Sequence, residues 1–124
     1  MRALPLPLAL AACAASQGGS GPSDYEQAIA GRTPGTPQAC VAANDATTLR
    51  VLDAHTLGYE SGGTMWVNRL PRYCPALRPT DAIAIEMHGR EYCRDDRFRT
   101  ITPGMTIPGP VCSLGDFVPY RRAR

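Results

Sequence analysis

The chain has no lysine: all thirteen of its basic residues are arginine. A bias that complete reads as codon usage, not as a recognition surface. Charge is also evenly balanced, since Cys40 to Tyr120 holds eight Arg against nine Asp plus Glu. The net charge of +2 therefore comes from Arg2, Arg32 and the closing Arg121, Arg122 and Arg124. A phosphate backbone is gripped by many cations on one face, so nucleic acid is not expected as a partner. Aromatic residues make up only 6% of the chain. The one apolar run falls short of the ~20 residues that cross a bilayer as a helix. No C-x-x-C pair occurs, which removes the spacing of a thioredoxin-like redox site or a zinc knuckle. Nor is there a G-x-S-x-G elbow or a glycine motif that cradles phosphate, so no catalytic residue and no cofactor is announced.

Gly and Pro are abundant, twelve of each, a mix that favours turns and short strands over long helices. Once a leader is set aside there is room for one domain of about 80 to 100 residues, too small for its core alone to give much stability. Cross-links would help it.

The start of the chain explains an odd cysteine. Residues 1–12 carry one charge, Arg2, then Leu and Ala interrupted by Pro5 and Pro7, then small residues, which is the layout of a secretory signal peptide. "LAAC", Leu10 to Cys13, resembles the lipobox of bacterial lipoproteins. The resemblance implies cleavage before Cys13 and acylation of its thiol and new amino group. The membrane would then be a partner through the N-terminal acyl chains, since several chains anchor stably where one does not. Ala14, where inner-membrane retention would need Asp, makes the periplasmic side of the outer membrane the expected address. Residues 13–37 read as a flexible tether rich in Gly, Ser, Pro and Thr. Within it "SDYE" has the form of a capping box, with Ser23 as N-cap, Glu26 at the third helical position and Gly31 as the stop.

Cys40, Cys74, Cys93 and Cys112 remain, an even count in a small exported domain, which reads as two disulfides. Three pairings are open to four cysteines. We expect Cys40–Cys112 and Cys74–Cys93, because the first would tie the opening strand to the last.

The domain is expected over residues 38–120, with residues 121–124 as a basic tail. "TTLRVLD" and "AHTLGYE" read as two strands about a turn from Asp53 to Thr56, and Ser61, Gly62 and Gly63 supply a hairpin into a strand from Thr64 to Leu70. "DAIAIEMHG" alternates, with Ile83, Ile85 and Met87 on the core face and Glu86 and His88 on the other. Asp95 and Asp96 make a polar turn, Asp96 capping it, before a strand around Phe98. "VCSLGDFVP" closes the domain as one last strand. The fold class is mainly β, a small antiparallel barrel or sandwich of about six short strands. The order of a Trp-bearing strand, "LPRYCPAL", "YCRDD" and "CSLGDFVP" resembles a family of small Gram-negative lipoproteins with a domain of unknown function. That resemblance covers roughly Ala39 to Pro119 and implies a location and a cysteine framework, without an activity or catalytic residues.

Site candidates are few. Asp53 and His55 share a turn, and Glu86 and His88 share a strand face; these four could meet as metal ligands. Trp66 and Tyr59, with Tyr73 and Tyr92, could form an aromatic surface for an envelope protein or a glycan; the simpler reading packs Trp66 in or beside the core. The leading expectation is a non-enzymatic, lipid-anchored periplasmic β domain that binds or supports an envelope component. Two alternatives stand beside it: a metal-binding periplasmic protein using His55 and His88, and an inhibitor of a periplasmic hydrolase presenting the loop Pro71 to Pro79.

Overall fold

The computed structural model describes residues 3–5, 23–44, 47–75 and 77–123. The lipidation candidate Cys13, most of the expected signal peptide, the first part of the tether and Arg124 lie outside the described residues. Helix α1, Asp24–Ile29, comes first in order. Its N-cap is Ser23, whose hydroxyl accepts the Glu26 amide at 3.2 Å, and Gly31 follows its end in the left-handed region at φ +68°. Asp24 and Glu26 in the first turn face the positive end of the helix dipole. A helix this short does not hold in water by itself; Ala28 docks it on the sheet.

Ten strands follow: β1 Arg32–Pro34, β2 Cys40–Ala42, β3 Arg50–Asp53, β4 Thr56–Ser61, β5 Thr64–Arg69, β6 Ala82–Ile85, β7 Glu91–Cys93, β8 Arg97–Ile101, β9 Cys112–Ser113 and β10 Phe117–Arg122. They make an antiparallel five-stranded sheet ordered β1-β10-β5-β4-β3, a pair β2-β7 and a three-stranded sheet β6-β8-β9. The meander β3-β4-β5 follows the expected turns. Asp53 accepts the His55 amide at 2.8 Å in the first turn. Gly62 and Gly63, both at positive φ, form the two-residue hairpin whose twist matches its strands.

The sheet starts earlier and ends later than the sequence implies. β1 lies in the expected tether, and β10 runs through Arg121 and Arg122 of the expected tail. "RTP" carries no apolar alternation; backbone pairing and one side chain hold it. Arg32 donates to the carbonyls of Gly63 at 2.8 Å and Tyr120 at 3.2 Å and pairs with Glu60 at 3.7 Å, with its side chain buried. "VCSLGDFVP" is two strands, not one, because Leu114 to Asp116 turn the chain from the small sheet into the large one. β6 stops at Ile85, which leaves Met87 exposed instead of in the core. β1 and β3 are unpaired edges of the large sheet, so among the described residues it is open and no barrel closes.

The disulfides are Cys40–Cys93 and Cys74–Cys112, which corrects the expected Cys40–Cys112 and Cys74–Cys93. The first strand of the sheet is β1, and it already lies beside β10 by backbone pairing. Cys40 instead stands directly opposite Cys93 in the β2-β7 pair. Cys74 ties the irregular loop after β5 to β9.

Register sorts the core. Leu57, Tyr59 and Phe117 bury one face of the large sheet against Val41, Tyr92, Phe98 and Leu114 from the smaller sheets and their loops. The alternate residues Met65 and Val67, with Leu52, bury the other face under Ala28 of α1. A Cβ at Gly58 would collide with Leu52, so this position of β4 takes glycine for closeness and not for conformation.

Candidate functional site

A cleft of about 410 Å³ opens on the helix-bearing side of the large sheet. Its floor is the cross-strand pair Val67 and Val118, from β5 and β10. Pro37 and Pro71 wall it, and Tyr120 closes one side. Four charged residues line its rim: Arg69, Arg94, Asp95 and Asp116. The volume is that of a small-ligand site, and an apolar floor under a few polar groups is the usual composition of one.

Each polar group is positioned by identifiable contacts. The Arg69 guanidinium stands over the Tyr25 ring of α1, 5.3 Å from its centre, and donates to its hydroxyl at 3.5 Å. That hydrogen bond, above all, raises the Arg69 pKa further above its already high value. Burial, and then the Tyr25 hydroxyl, raises that of Tyr120. Arg94 donates to Asp116 at 3.0 Å across the rim; both are exposed, so the pair orients the groups more than it stabilises the fold. Asp95 has φ +72°, a left-handed conformation that Asp tolerates better than most side chains. Asp96 caps the same turn, its carboxylate accepting the Cys93 amide at 2.8 Å, the role its sequence context implied.

The floor of the cleft is locked from below. The buried Asn68 amide donates to the Gly115 carbonyl at 2.7 Å and accepts the Gly115 amide at 2.7 Å. A Cβ on Gly115 would strike the Arg69 carbonyl oxygen. The bend at Gly115, which turns β9 into β10, thus depends on a residue 47 positions away.

This cleft offers as polar groups two arginines, two aspartates and a tyrosine hydroxyl. An apolar body over Val67 and Val118, with an acidic group toward the arginines or a basic one toward Asp95, suits it.

The residues singled out from sequence lie elsewhere. His55 is exposed in the β3-β4 turn, and Glu86 and His88 lie beyond the end of β6, so they do not share a strand face. Among the described residues, the group of three or more close metal-ligand atoms is Cys40, Glu91 and Cys93; it includes none of Asp53, His55, Glu86 and His88. Its two sulfurs are bonded to each other, which leaves no thiolate for a metal. Tyr59 and Trp66 do face each other across β4 and β5, but they make no aromatic surface. Tyr59 is fully buried, edge-on to Tyr92 at 5.2 Å, with its hydroxyl on the Ala42 carbonyl. Trp66 is half-buried, with Arg121 over its ring at 5.7 Å. Sequence reasoning missed Arg69, Arg94, Tyr25 and Tyr120, because they come from separate segments that only the strand order brings together. Comparison of the chain with protein-family models, curated proteins and solved structures returns no match.

Proposed function

We propose that this chain is an envelope lipoprotein, cut before Cys13 and held by acyl chains on that residue to the outer membrane on its periplasmic side. Its β domain binds or braces an envelope component, a protein segment or a glycan, without catalysis. The observation that carries this reading is the pairing of all four domain cysteines. Such bonds persist in oxidising compartments, and they leave Cys13 as the fifth cysteine of an otherwise even framework. The resemblance to small Gram-negative lipoproteins supports the same reading. We take the stacking of the small sheets on the large one as an irregular sandwich, a rigid support for the cleft. Mass spectrometry of native protein, intact and after peptide mapping, tests the anchor. The expected result is a diacyl or triacyl mass on Cys13 together with the Cys40–Cys93 and Cys74–Cys112 linkages. Protein recovered from the cell interior with every thiol free would overturn it.

One observation favours a second reading, the hydrolase inhibitor. Tyr73 is 76% exposed while its neighbour Cys74 is buried and bridged to Cys112. A projecting side chain beside a covalent brace is preorganised for docking. On that reading Tyr73→Ala abolishes inhibition of the hydrolytic activity in a periplasmic extract; wild-type protein that leaves the activity untouched sinks it.

A further inference from the structure

From Thr100 to Gly115 no residue is charged. This stretch connects β8 to β9 and crosses into the turn after it; Cys112 and Leu114 at its end are buried, but before them large apolar side chains are exposed. Ile107 is 78% exposed, Met105 62%, Val111 48% and Ile101 42%. A lone exposed apolar residue is ordinary, but four within eleven positions mark a surface that meets something.

The segment is a closed finger. At its base the Gly109 amide donates to the Thr100 carbonyl at 2.9 Å, and Arg99 donates to the Gly109 carbonyl at 3.3 Å. Thr102 donates from its hydroxyl to the buried Asp81 carboxylate at 2.9 Å, which fixes the departing limb. At its tip Met105 donates to the Thr102 carbonyl at 3.0 Å, with Gly104 at φ +82°, as a tight turn with glycine at its third position requires. Little ordering remains to be done on contact. Pro103, Pro108 and Pro110 also lack amide protons, so fewer backbone donors would be stripped of water in an apolar medium.

Beside the finger stands a row of cations. β8 alternates Phe98 and Thr100 inward with Arg97, Arg99 and Ile101 outward. Neither arginine is in an ion pair among the described residues. Across from them β6 presents only the small Ala82 and Ala84; Glu86, in the adjoining hollow with Arg97, is the one carboxylate there.

We propose that residues 101–111 form a membrane-contact finger: Met105 and Ile107 insert among the acyl chains while Arg97 and Arg99 meet anionic lipid phosphates. This deepens, and rests on, the reading of Cys13 as an acylated anchor. An apolar tip with flanking arginines is the composition that binds the boundary between headgroup and acyl chain. The bilayer is also the surface the anchor keeps within reach, because the ten residues from Cys13 to Ser23 cannot span more than about 35 Å. The finger would fix the domain's orientation on the tether and turn the helix-side cleft to a constant aspect.

The test uses the acylated full chain in vesicles of phosphatidylethanolamine and phosphatidylglycerol carrying brominated acyl chains, with Ile107→Trp and, as a comparison, Tyr73→Trp. Wild-type emission from Trp66 is subtracted. The expected result is emission at position 107 shifted to the blue and quenched at least twofold, with position 73 unquenched. Replacing phosphatidylglycerol with phosphatidylcholine, or introducing Arg97→Gln with Arg99→Gln, should remove most of that quenching. Emission from position 107 that is unquenched and open to iodide overturns the proposal, as does equal quenching at both positions. Protection of position 107 that appears only when envelope protein is added overturns it too. The acyl mass on Cys13 is read from the same sample. Acyl chains present with the tryptophan unquenched sinks the finger and leaves the anchor standing; quenching without acyl chains does the reverse.

Discussion

The face of the five-stranded sheet that carries Leu57, Tyr59 and Phe117 is covered by two small sheets and both disulfides. The face that carries Met65 and Val67 is covered by a short helix with no cross-link. The difference follows from what each cover can do unaided. A two-stranded pair such as β2-β7 is not stable in water, and Cys40–Cys93 ties its two strands directly across from one another. The three-stranded sheet is tied to the loop after β5 by Cys74–Cys112. Among the described residues no cross-link holds the helix, and the cleft lies on that side, with Arg94 and Asp95 of its rim next to the bridged Cys93. One cover is thus held covalently and the other by packing alone.

The sharpest way to break that contrast is to remove one bridge at a time. Loop-entropy reasoning gives about 4 kcal/mol for each, since the cysteines are 53 and 38 residues apart. Cys74 and Cys112 are buried, whereas Cys40 and Cys93 are half-buried. Cys74→Ala with Cys112→Ala should therefore lose more stability in urea titration than Cys40→Ala with Cys93→Ala, by about 1 kcal/mol of added cavity cost. Equal losses would mean that only chain entropy matters and that the core does not feel the difference. Next in size is Asn68→Ala. It leaves both the amide and the carbonyl of Gly115 buried without their partner, at a cost of about 3 kcal/mol. Asn68→Asp should be no rescue, since a carboxylate can accept from the Gly115 amide but cannot donate to its carbonyl.

Local chemistry was legible in the sequence and partnership was not. The Ser23 cap, the Asp53 turn, the glycine pair at Gly62 and Gly63 and the Asp95–Asp96 turn each depend on residues within four positions of one another. A period-two pattern tells which side chains share a face, but not which strand lies alongside. The cysteine pairing was therefore misread, and of the aromatic pair expected on neighbouring strands, Tyr59 is buried in the core and Trp66 packs beside it, as the simpler reading of Trp66 had it. β1 gave no apolar signal at all, because Arg32 holds it through one carbonyl of β10 and one of the β4–β5 turn. The cleft is the extreme case: Asn68 reaches Gly115, and Arg69 reaches Tyr25 across 44 positions.

A smaller effect tests how weakly the helix side is held. Ser23→Ala removes the acceptor for the Glu26 amide and should cost about 1 kcal/mol. Hydrogen exchange locates that cost: the Gln27 amide, bonded to the Ser23 carbonyl at 2.9 Å, should exchange several-fold faster, while the amides of Tyr59 and Phe117 stay as they were. Faster exchange on both faces would mean that the helix and the disulfide-bearing core open as one unit, contrary to the division drawn above.

The finest distinction between the faces is one of proton affinity. Burial raises the pKa of Tyr92 on the bridged face and of Tyr120 on the helix face, and Tyr25 raises that of Tyr120 further by a hydrogen bond. Free tyrosine ionises near about pH 10. Where the folded value is higher, the native state keeps a proton that the unfolded chain has lost. The contribution to stability is then full below about pH 10 and falls as pH rises through the folded value. Absorbance at 295 nm should accordingly show tyrosinate appearing later in native protein than in urea. Tyr25→Phe should bring the Tyr120 step down toward the ordinary range and leave Tyr92 where it was. If both steps move together, Tyr25 acts on the whole fold and not on the rim of the cleft, and the independence of the two faces fails at its most sensitive point.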